Sequence, residues 1–397
     1  MNRSIGTAPG RIDVLGGVAD YSGSLVLETP TTSRTTTTIE RVPGNSLFFQ
    51  WQAAHGFMET RLPAELLDSV PREDFEGFAS KLDEYQVLKP VRYMAGCLFA
   101  AGARAEEGLR VSVTSEVPES MGVSSSAALE VATLRALQQL GDGPEDDLAM
   151  ARLGQAVENR IVRAPCGIMD QIASVFGKSG ALLPIRCRPD EVLEPVQLPN
   201  GVVAVGWPSG VQHDVGGSPY GMARAASFMG KRMLETVTGM KWPYTAEIPR
   251  EVLESNLLPE QMSGEAFLQA FGQVDDPLSV ILPEQTYSIR AATTFPILEN
   301  ARAEAVMQIL RENGPIAQVG QHLFASHSGY SRMGLGDSTT DRMVEAIRAE
   351  GLNEGFYGAR ISGGGCGGTV TVLLDERAIP RLRTLAARLG VPAMFVR

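Results

Sequence analysis

Three consecutive serines at the start of a predicted helix could bind an anion. They lie in the stretch EVPESMGVSSSAALEVA, residues 116–132, where a predicted strand ends in Val-Pro and a loop of small residues leads to Ser124, Ser125 and Ser126. Backbone N–H groups at a helix N-terminus attract phosphate groups, and the serine hydroxyls add donors, one of which could reach a divalent metal. Helix capping is the alternative, because serine is a preferred N-cap residue. A cap needs one serine, whereas this stretch has three.

Two acidic residues stand out in the stretch AVENRIVRAPCGIMDQIASVFG. Glu158 lies on a predicted helix, one turn beyond Gly154, and Asp170 follows the turn formed by residues 165–167. Taken singly, each has a structural explanation. Glu158 could belong to a solvated helix face, and the dipole of a helix favours an acidic residue such as Asp170 near its start.

The N-terminal stretch APGRIDVLGGVADYSG, residues 8–23, sets charged residues among apolar ones. Arg11, Asp13 and Asp20 alternate with isoleucine, valine and leucine in what otherwise resembles a buried strand and a tight turn. Ionised side chains in such surroundings are costly unless each has a partner or a ligand. The stretch therefore predicts either buried ion pairs or a polar binding site.

A glycine run near the C-terminus could approach a ligand. The stretch ARISGGGCGGTVTVLLD has five glycines in the six positions from 363 to 368, more than one β-turn requires. Such a run suits a backbone packed closely against a ligand or a facing helix, and a tight hairpin or bulge is the alternative.

The elements that must position these residues indicate an α+β fold in two domains. Alternating apolar residues predict a strand around Leu109–Val113, and helical periodicity predicts a helix that ends at Gly141. A second helix is predicted with Pro144 in its first turn, and a short one ends at Gly177. The stretches SLVLE and TTTTIE predict two strands separated by a turn at Pro30. Strands and helices do not alternate regularly enough for a doubly wound fold.

Composition excludes several classes of function. The 397 residues include 35 Lys and Arg against 46 Asp and Glu, a net charge of −11, which argues against a nucleic-acid or anionic membrane partner. The four cysteines match no zinc or disulfide framework and indicate a reducing compartment. The four histidines are expected to be structural rather than metal ligands. No signal peptide or apolar run of about 20 residues is present, so a cytoplasmic protein is expected.

Together these stretches resemble the family of galactokinase, homoserine kinase, mevalonate kinase and phosphomevalonate kinase, the GHMP kinases. Three of these stretches are similar to the three family motifs and follow the family's order along the chain. They are the N-terminal stretch, the stretch with the three serines and the glycine run. The stretches ENRIVRAPCGIMDQIASVFG and SGVQHDVGGSPYGMARAASFMGKRM resemble the sugar-kinase branch. The resemblance implies an N-terminal domain with a ribosomal-protein-like βαβ arrangement, residues 1–195, and an α+β C-terminal domain, residues 196–397. It also implies that ATP and the acceptor meet in a cleft between the domains.

The resemblance assigns roles by position. Asp170 matches the catalytic aspartate and Arg11 the arginine beside it, while Ser126 and Glu158 match the magnesium ligands. The ATP-binding loop is expected to comprise Ser120, Gly122, Val123, Ser124, Ser125 and Ser126. Sugar contacts are expected from Gly17, Val18, Asp20, Gly167 and Tyr220. Arg11 and Asp20 are therefore expected to face a polar cleft rather than to be truly buried.

One departure from galactokinases bears on the substrate. Galactokinases have Glu-His-Thr before the Asp-Tyr pair and use the Glu and His to contact the C6 hydroxyl of galactose, whereas this chain has Gly17, Val18 and Ala19. L-Arabinopyranose is galactopyranose without its CH2OH group, and the stretch GRIDVLGGVADYSGSLVLETP resembles the kinase domain of plant L-arabinokinases. Replacing Gly17 by Glu and Val18 by His is predicted to raise the use of galactose relative to that of arabinose. A second departure lies in the predicted ATP-binding loop, where Ser120 stands in place of the glycine that is usual in the family.

The leading hypothesis is a kinase that uses ATP and Mg²⁺ to make L-arabinose 1-phosphate, as a monomer or homodimer whose partners are a monosaccharide and ATP. The second is a galactokinase, or a kinase of another sugar altered at C6. The third is a sensor that binds sugar and ATP without turnover. The presence of Asp170, Arg11 and Glu158 argues against the sensor.

Overall fold

The chain forms two compact units. The computed structural model describes residues 2–53, 56–104, 108–211 and 218–397. Unit 1 comprises residues 1–11, 30–119 and 124–177, and unit 2 comprises residues 12–29, 120–123 and 178–397. Each unit combines a β-sheet with α-helices, so the predicted α+β class is confirmed.

Unit 1 combines a mixed sheet with a group of helices. Its strands are β1 (Arg3–Leu15), β2 (Leu25–Val42), β3 (Ser46–Ala53), β4 (Gly56–Pro63) and β5 (Gly108–Ser115), of which β1 and β2 extend into unit 2. Its helices are α1 (Phe75–Glu84), α2 (Lys89–Ala100), α3 (Ser125–Leu140), α4 (Asp147–Ala156) and α5 (Met169–Phe176). The strand order is β4-β3-β5-β2, in which β3 and β5 are parallel and the other pairs antiparallel.

The predicted turn at Pro30 is wrong, because β2 is one continuous strand of 18 residues. Its residues 25–28 pair with β6 (Ala181–Arg186), and its residues 35–42 pair with β5. Pro30 lies between these two ladders, on a strand that also pairs with β1. The fixed φ of proline is compatible with extended backbone.

The helix that follows the serines begins and ends as predicted. Helix α3 covers residues 125–140 and ends at Gly141, which adopts a left-handed conformation. Helix α4 begins three residues later than predicted: Asp146 is its N-cap and accepts a hydrogen bond from the backbone N–H of Ala149 at 2.7 Å. Pro144 precedes the helix, since the aspartate side chain supplies the better cap.

Unit 2 contains the remaining elements. Its strands are β6, β7 (Glu191–Val192), β8 (Val196–Gln197), β9 (Val202–Pro208), β10 (Met262–Ser263), β11 (Thr286–Tyr287), β12 (Phe356–Ile361) and β13 (Thr369–Asp375). Its helices are α6 (Ser218–Thr238), α7 (Arg250–Glu254), α8 (Gly264–Phe271), α9 (Ile289–Arg311), α10 (Ile316–Met333), α11 (Ser338–Glu350) and α12 (Ile379–Leu389). Strands β12, β13 and β9 form an antiparallel sheet in that order. Within the described ranges of both units, no helix has the length and apolarity needed to cross a membrane.

His327 is confirmed as a structural histidine. Its Nδ1 accepts the backbone N–H of Ile361 at 3.3 Å, and its Nε2 lies 3.0 Å from a carboxylate oxygen of Asp341. Burial lowers the pKa of His327, and the positive charge of Arg360 lowers it further, although Asp341 opposes this. A neutral imidazole with one acceptor and one donor nitrogen satisfies both contacts.

Candidate active site

Asp170 is held by Arg11 within unit 1. The Nε and Nη2 atoms of Arg11 both approach Oδ1 of Asp170, at 2.9 and 2.8 Å. The Arg11 side chain is 3% exposed, whereas that of Asp170, in the first turn of α5, is 19% exposed. The predicted exposure of Arg11 is therefore wrong, because its charge is compensated by an ion pair. The partly open carboxylate of Asp170 is oriented and can accept a proton from a bound hydroxyl.

Ser124 supplies the second support of Asp170. Its hydroxyl donates to Oδ2 of Asp170 at 2.5 Å, while the backbone of Ser124 adopts a left-handed φ of 55°. Ser124 is the N-cap of α3, but its side chain makes no capping hydrogen bond. Simple capping therefore does not explain this serine. A non-glycine residue in this strained conformation is typical of functional sites.

Glu158 lies in a π-helical turn, residues 157–162, rather than in the regular helix that was predicted. Tyr93 donates to its Oε1 at 3.0 Å, and Gln171 donates to its Oε2 at 2.8 Å. Burial raises the pKa of Glu158, the negative charge of Asp170 raises it further, and a hydrogen bond from Ser126 opposes both effects. The solvated helix face is thus excluded, since Glu158 is buried.

The residues around Glu158 fit a magnesium ion. A buried carboxylate in contact with the hydroxyl of Ser126 is an oxygen-only donor set, and Mg²⁺ prefers one or two such protein ligands together with water and phosphate oxygens. Among the residues that the structure describes, no group of three or more His, Cys, Asp or Glu could hold a metal. Two protein oxygens leave most of the coordination positions of Mg²⁺ to other oxygen ligands.

Sequence reasoning missed the residues that position Glu158. The amide of Gln171 bridges Glu158 and the fully buried Glu130, which it contacts at 2.9 Å. Burial and the charge of Glu158 raise the pKa of Glu130 well above its usual range. Gln171 directly follows Asp170 in the sequence, and this adjacency is the only signal that could have identified it. Tyr93 carried no signal, because it lies 65 residues from Glu158.

The predicted ATP loop has unusual backbone geometry. Its residues 120–123 belong to unit 2. Ser120 adopts a φ of 57° and Gly122 a φ of 69°. The left-handed conformation explains why glycine is expected at position 120, and this chain retains the conformation with a serine. Val123 is buried, and Ser125 and Ser126 are half-buried at the start of α3.

Asp13 is part of a closed ion pair in unit 2. Its carboxylate lies 2.7 Å from Nη1 of Arg360, and both side chains are fully buried. The same carboxylate accepts the backbone N–H groups of Gly17 at 3.1 Å and of Gly363 at 3.0 Å. Asp13 thus joins the end of β1 to the glycine run, and its charge is explained by structure rather than by a ligand.

The predicted sugar contacts of unit 2 are buried. Val18 and Tyr220 belong to one apolar cluster, with side chains 2% and 6% exposed. Asp20 is 5% exposed, and its Oδ1 accepts the backbone N–H of Tyr21 at 2.6 Å. The expectation that Asp20 is not truly buried is therefore wrong in this structure. Gly167, in unit 1, is buried in the loop before α5.

Comparison with known proteins identifies a domain and several relatives. Residues 87–178 match the model of the GHMP kinases N terminal domain. The chain is 31% identical to L-arabinokinase of Arabidopsis thaliana over 439 aligned positions, which cover 93% of this chain. The chain spans 42% of the length of that relative.

Solved structures share the fold. Galactokinase of Lactococcus lactis, in complex with galactose, superposes with a TM-score of 0.76 at 21% identity, covering 99% of this chain and 92% of that one. Mevalonate kinase of Methanococcus jannaschii superposes with a TM-score of 0.61 at 15% identity, covering 99% and 97%. These matches establish the predicted fold.

Proposed function

The chain belongs to the GHMP kinase family, and we propose that it transfers the γ-phosphoryl group of ATP to the anomeric hydroxyl of L-arabinose. The observation that carries the proposal is the partly exposed carboxylate of Asp170, held on one oxygen by Arg11 and on the other by Ser124. A carboxylate in this state can remove a proton from an attacking hydroxyl. This is the role that an aspartate has in other phosphoryl-transfer enzymes.

In the proposed reaction, the sugar C1 oxygen attacks the γ-phosphorus. The new C1–O–P bond forms as the bond from the γ-phosphorus to the β-phosphate oxygen breaks, and ADP leaves with that electron pair. The hydroxyl proton moves to Asp170. Arg11 keeps the carboxylate oriented, and its positive charge stabilises negative charge that develops nearby. Phosphoryl transfer depends mainly on such positioning and charge compensation.

Ser126 and Glu158 would hold the magnesium ion. When bound, Mg²⁺ compensates the charge of the phosphate oxygens. Tyr93 and Gln171 hold the Glu158 carboxylate in place through both of its oxygens. Backbone N–H groups at the start of α3, with Ser120, Gly122 and Val123, are proposed to bind the triphosphate.

The sugar is proposed to be L-arabinose because of Gly17 and Val18. Neither residue offers a hydrogen bond from a side chain to a C6 hydroxyl, and the similarity to an L-arabinokinase points to the same substrate. An apolar site rejects an added hydroxyl by only about 10²-fold. We therefore expect D-galactose to be a poor substrate rather than an inert one. Galactokinase activity is the alternative, favoured by the fold match to a galactokinase.

The test is ADP formation with ATP and Mg²⁺ across L-arabinose, D-galactose, D-fucose and D-galacturonate. Asp170→Asn provides the background rate in each case. A kcat/KM that is highest for L-arabinose supports the proposal, and one that is highest for D-galactose would replace it with galactokinase activity. ADP formation with none of the sugars above the Asp170→Asn background would favour the non-catalytic sensor.

Three further expectations belong to this proposal. We propose that residues 1–195 and 196–397 are the two family domains. We also propose that the enzyme acts in the cytoplasm, where ATP and free monosaccharides are available, and that it is a monomer or homodimer. Size-exclusion chromatography with light scattering checks the last of these.

A further inference from the structure

Position 17 cannot hold a side chain in this structure. Gly17 adopts a φ of 52°, and a Cβ atom built on it would lie 1.8 Å from the hydroxyl oxygen of Tyr330. The same atom would lie 2.8 Å from Nη2 of Arg360 and 2.9 Å from Oδ2 of Asp13. The space beside Gly17 is thus filled by a tyrosine hydroxyl and by the closed ion pair of unit 2.

Tyr330 is fixed in this place by two hydrogen bonds. Its hydroxyl accepts the backbone N–H of Val18 at 2.9 Å and donates to the backbone carbonyl of Gly363 at 2.6 Å. Phe295 packs edge-to-face against the ring at 5.3 Å, and the Arg360 guanidinium lies 5.0 Å from the ring centroid. Burial raises the pKa of Tyr330 well above its usual range, so the hydroxyl keeps the proton that it donates.

The Tyr330 hydroxyl therefore contacts the predicted sugar-binding residues Gly17 and Val18 from the interior of unit 2. Tyr330 is fully buried, so it offers no surface to a sugar. Its contact is with the backbone of Val18, one of the three residues at which this chain departs from galactokinases. The buried hydroxyl fills the space beside Gly17 and holds the backbone of Val18 by a hydrogen bond. It thereby determines the conformation of this segment without contacting a ligand.

We propose that Tyr330 is a positioning residue that determines sugar specificity, by keeping position 17 free of a side chain and by fixing the backbone of Val18. This inference rests on the proposed function. It also corrects the prediction made for the double change of Gly17 to Glu and Val18 to His. A glutamate at position 17 would collide with Tyr330, so that change is not accommodated unless Tyr330 is changed as well.

A double-mutant cycle between Gly17→Ala and Tyr330→Phe tests the steric part. In the wild-type background, Gly17→Ala places a methyl group against the Tyr330 hydroxyl and is expected to destabilise the protein strongly. Tyr330→Phe removes the oxygen 1.8 Å away, so the second change is expected to restore part of the loss. The coupling is expected to be about tenfold in the folding equilibrium, as for residues in direct contact. Urea denaturation measures it without any assumption about activity.

The specificity part is tested by the ratio of kcat/KM for L-arabinose to that for D-galactose. Tyr330→Phe is expected to lower this ratio about fivefold, mainly through a higher KM for L-arabinose, because loss of a buried hydrogen bond frees the Val18 backbone. The KM for ATP is expected to stay unchanged. Tyr287→Phe is the matched control, since Tyr287 is a buried tyrosine of unit 2 whose hydroxyl accepts the backbone N–H of Leu282 at 2.8 Å.

The outcomes separate this inference from the proposed function. A lowered sugar ratio in Tyr330→Phe but not in Tyr287→Phe, together with partial rescue of Gly17→Ala, supports the positioning role. Equal ratios in wild type and both tyrosine variants, or strictly additive changes in the cycle, would overturn it while the kinase activity stands. A wild-type protein that phosphorylates no sugar would overturn the proposed function and the specificity role with it.

Discussion

Two Arg–Asp ion pairs each include a residue of strand β1 and differ in how much of the aspartate side chain is exposed. Arg11 pairs with Asp170 within unit 1, and the aspartate keeps 19% of its side chain exposed. Asp13, two residues later on β1, pairs with Arg360 within unit 2, and neither side chain has any exposed surface. The first pair, which we call the open pair, can take part in chemistry. The second, the closed pair, cannot.

The difference shows how one charged stretch can serve two purposes. In the open pair, both arginine contacts go to Oδ1 of Asp170, and Oδ2 accepts only the Ser124 hydroxyl among the hydrogen bonds given by the described residues. In the closed pair, the carboxylate of Asp13 is saturated by Arg360 and by the N–H groups of Gly17 and Gly363. The same residue types therefore hold a partly exposed carboxylate in one place and two glycine-rich segments in the other.

Asp170→Asn is expected to have the largest effect on activity. It removes the proton acceptor from the open pair while Asn can still accept from Arg11, so kcat should fall by about 10²–10⁴-fold. The melting temperature should fall less than in Asp13→Asn, because Asp170 is partly exposed and Asn can still accept from Arg11. Steady-state kinetics and thermal denaturation of the same preparation check both statements. A variant that retains more than a tenth of the wild-type kcat would show that Asp170 is not the base.

Asp13→Asn is expected to have the largest effect on stability. It leaves the buried Arg360 without its counter-charge, which typically costs about 3–5 kcal/mol when one partner of a buried pair is removed. The free energy of unfolding from urea titration measures the loss. If Asp13→Asn were no less stable than Asp170→Asn, the distinction between the closed and the open pair would fail.

Ser124→Ala is expected to have an intermediate effect. A hydrogen bond to a charged group contributes about 1.5–3 kcal/mol, so loss of the donor to Asp170 should lower kcat by at least about tenfold. Ser124→Gly also lacks the hydroxyl but relaxes the left-handed backbone, and it separates the two contributions. Wild-type activity in Ser124→Gly would mean that the hydroxyl does not support Asp170.

The smallest expected effect is a pH dependence of the free energy of unfolding that comes from His327, whose pKa is affected by Arg360 of the closed pair. The pKa of His327 is lowered in the folded state, so the unfolded chain binds the proton more readily as the pH falls below about 6.5. More protons bound in the unfolded state mean that stability rises with pH in this window. The contribution of His327 to the free energy of unfolding is present above about pH 6.5. It is lost as the pH falls through the pKa of His327 in the folded state.

Replacing His327 checks this dependence. His327→Gln should flatten the slope of the free energy of unfolding between pH 5 and 6.5. The slope that His327 contributes cannot exceed about 1.4 kcal/mol per pH unit, the value for one proton. An unchanged slope in the variant would assign the dependence to other groups, such as His322, whose pKa is also lowered by burial.

Local signals predicted much of what surrounds the open pair. Periodicity and Gly141 fixed the bounds of α3, and the family resemblance brought Arg11 together with Asp170. The closed pair could not be predicted, because Arg360 lies 347 residues from Asp13 and nothing in its own stretch marks it. The predicted turn at Pro30 was wrong for a related reason, because β2 pairs on either side of Pro30 with β5 and β6, two strands that lie far away in the sequence.

The most direct test of the central claim is the product of the wild-type enzyme with L-arabinose, ATP and Mg²⁺, followed by phosphorus and proton NMR. The account predicts a phosphate coupled to the anomeric proton, formed together with ADP. It also predicts that Asp170→Asn forms this product far more slowly although it is folded. A phosphate on another carbon, or the same rate of product formation with Asp170→Asn, would contradict the assignment of an anomeric sugar kinase built on the open pair.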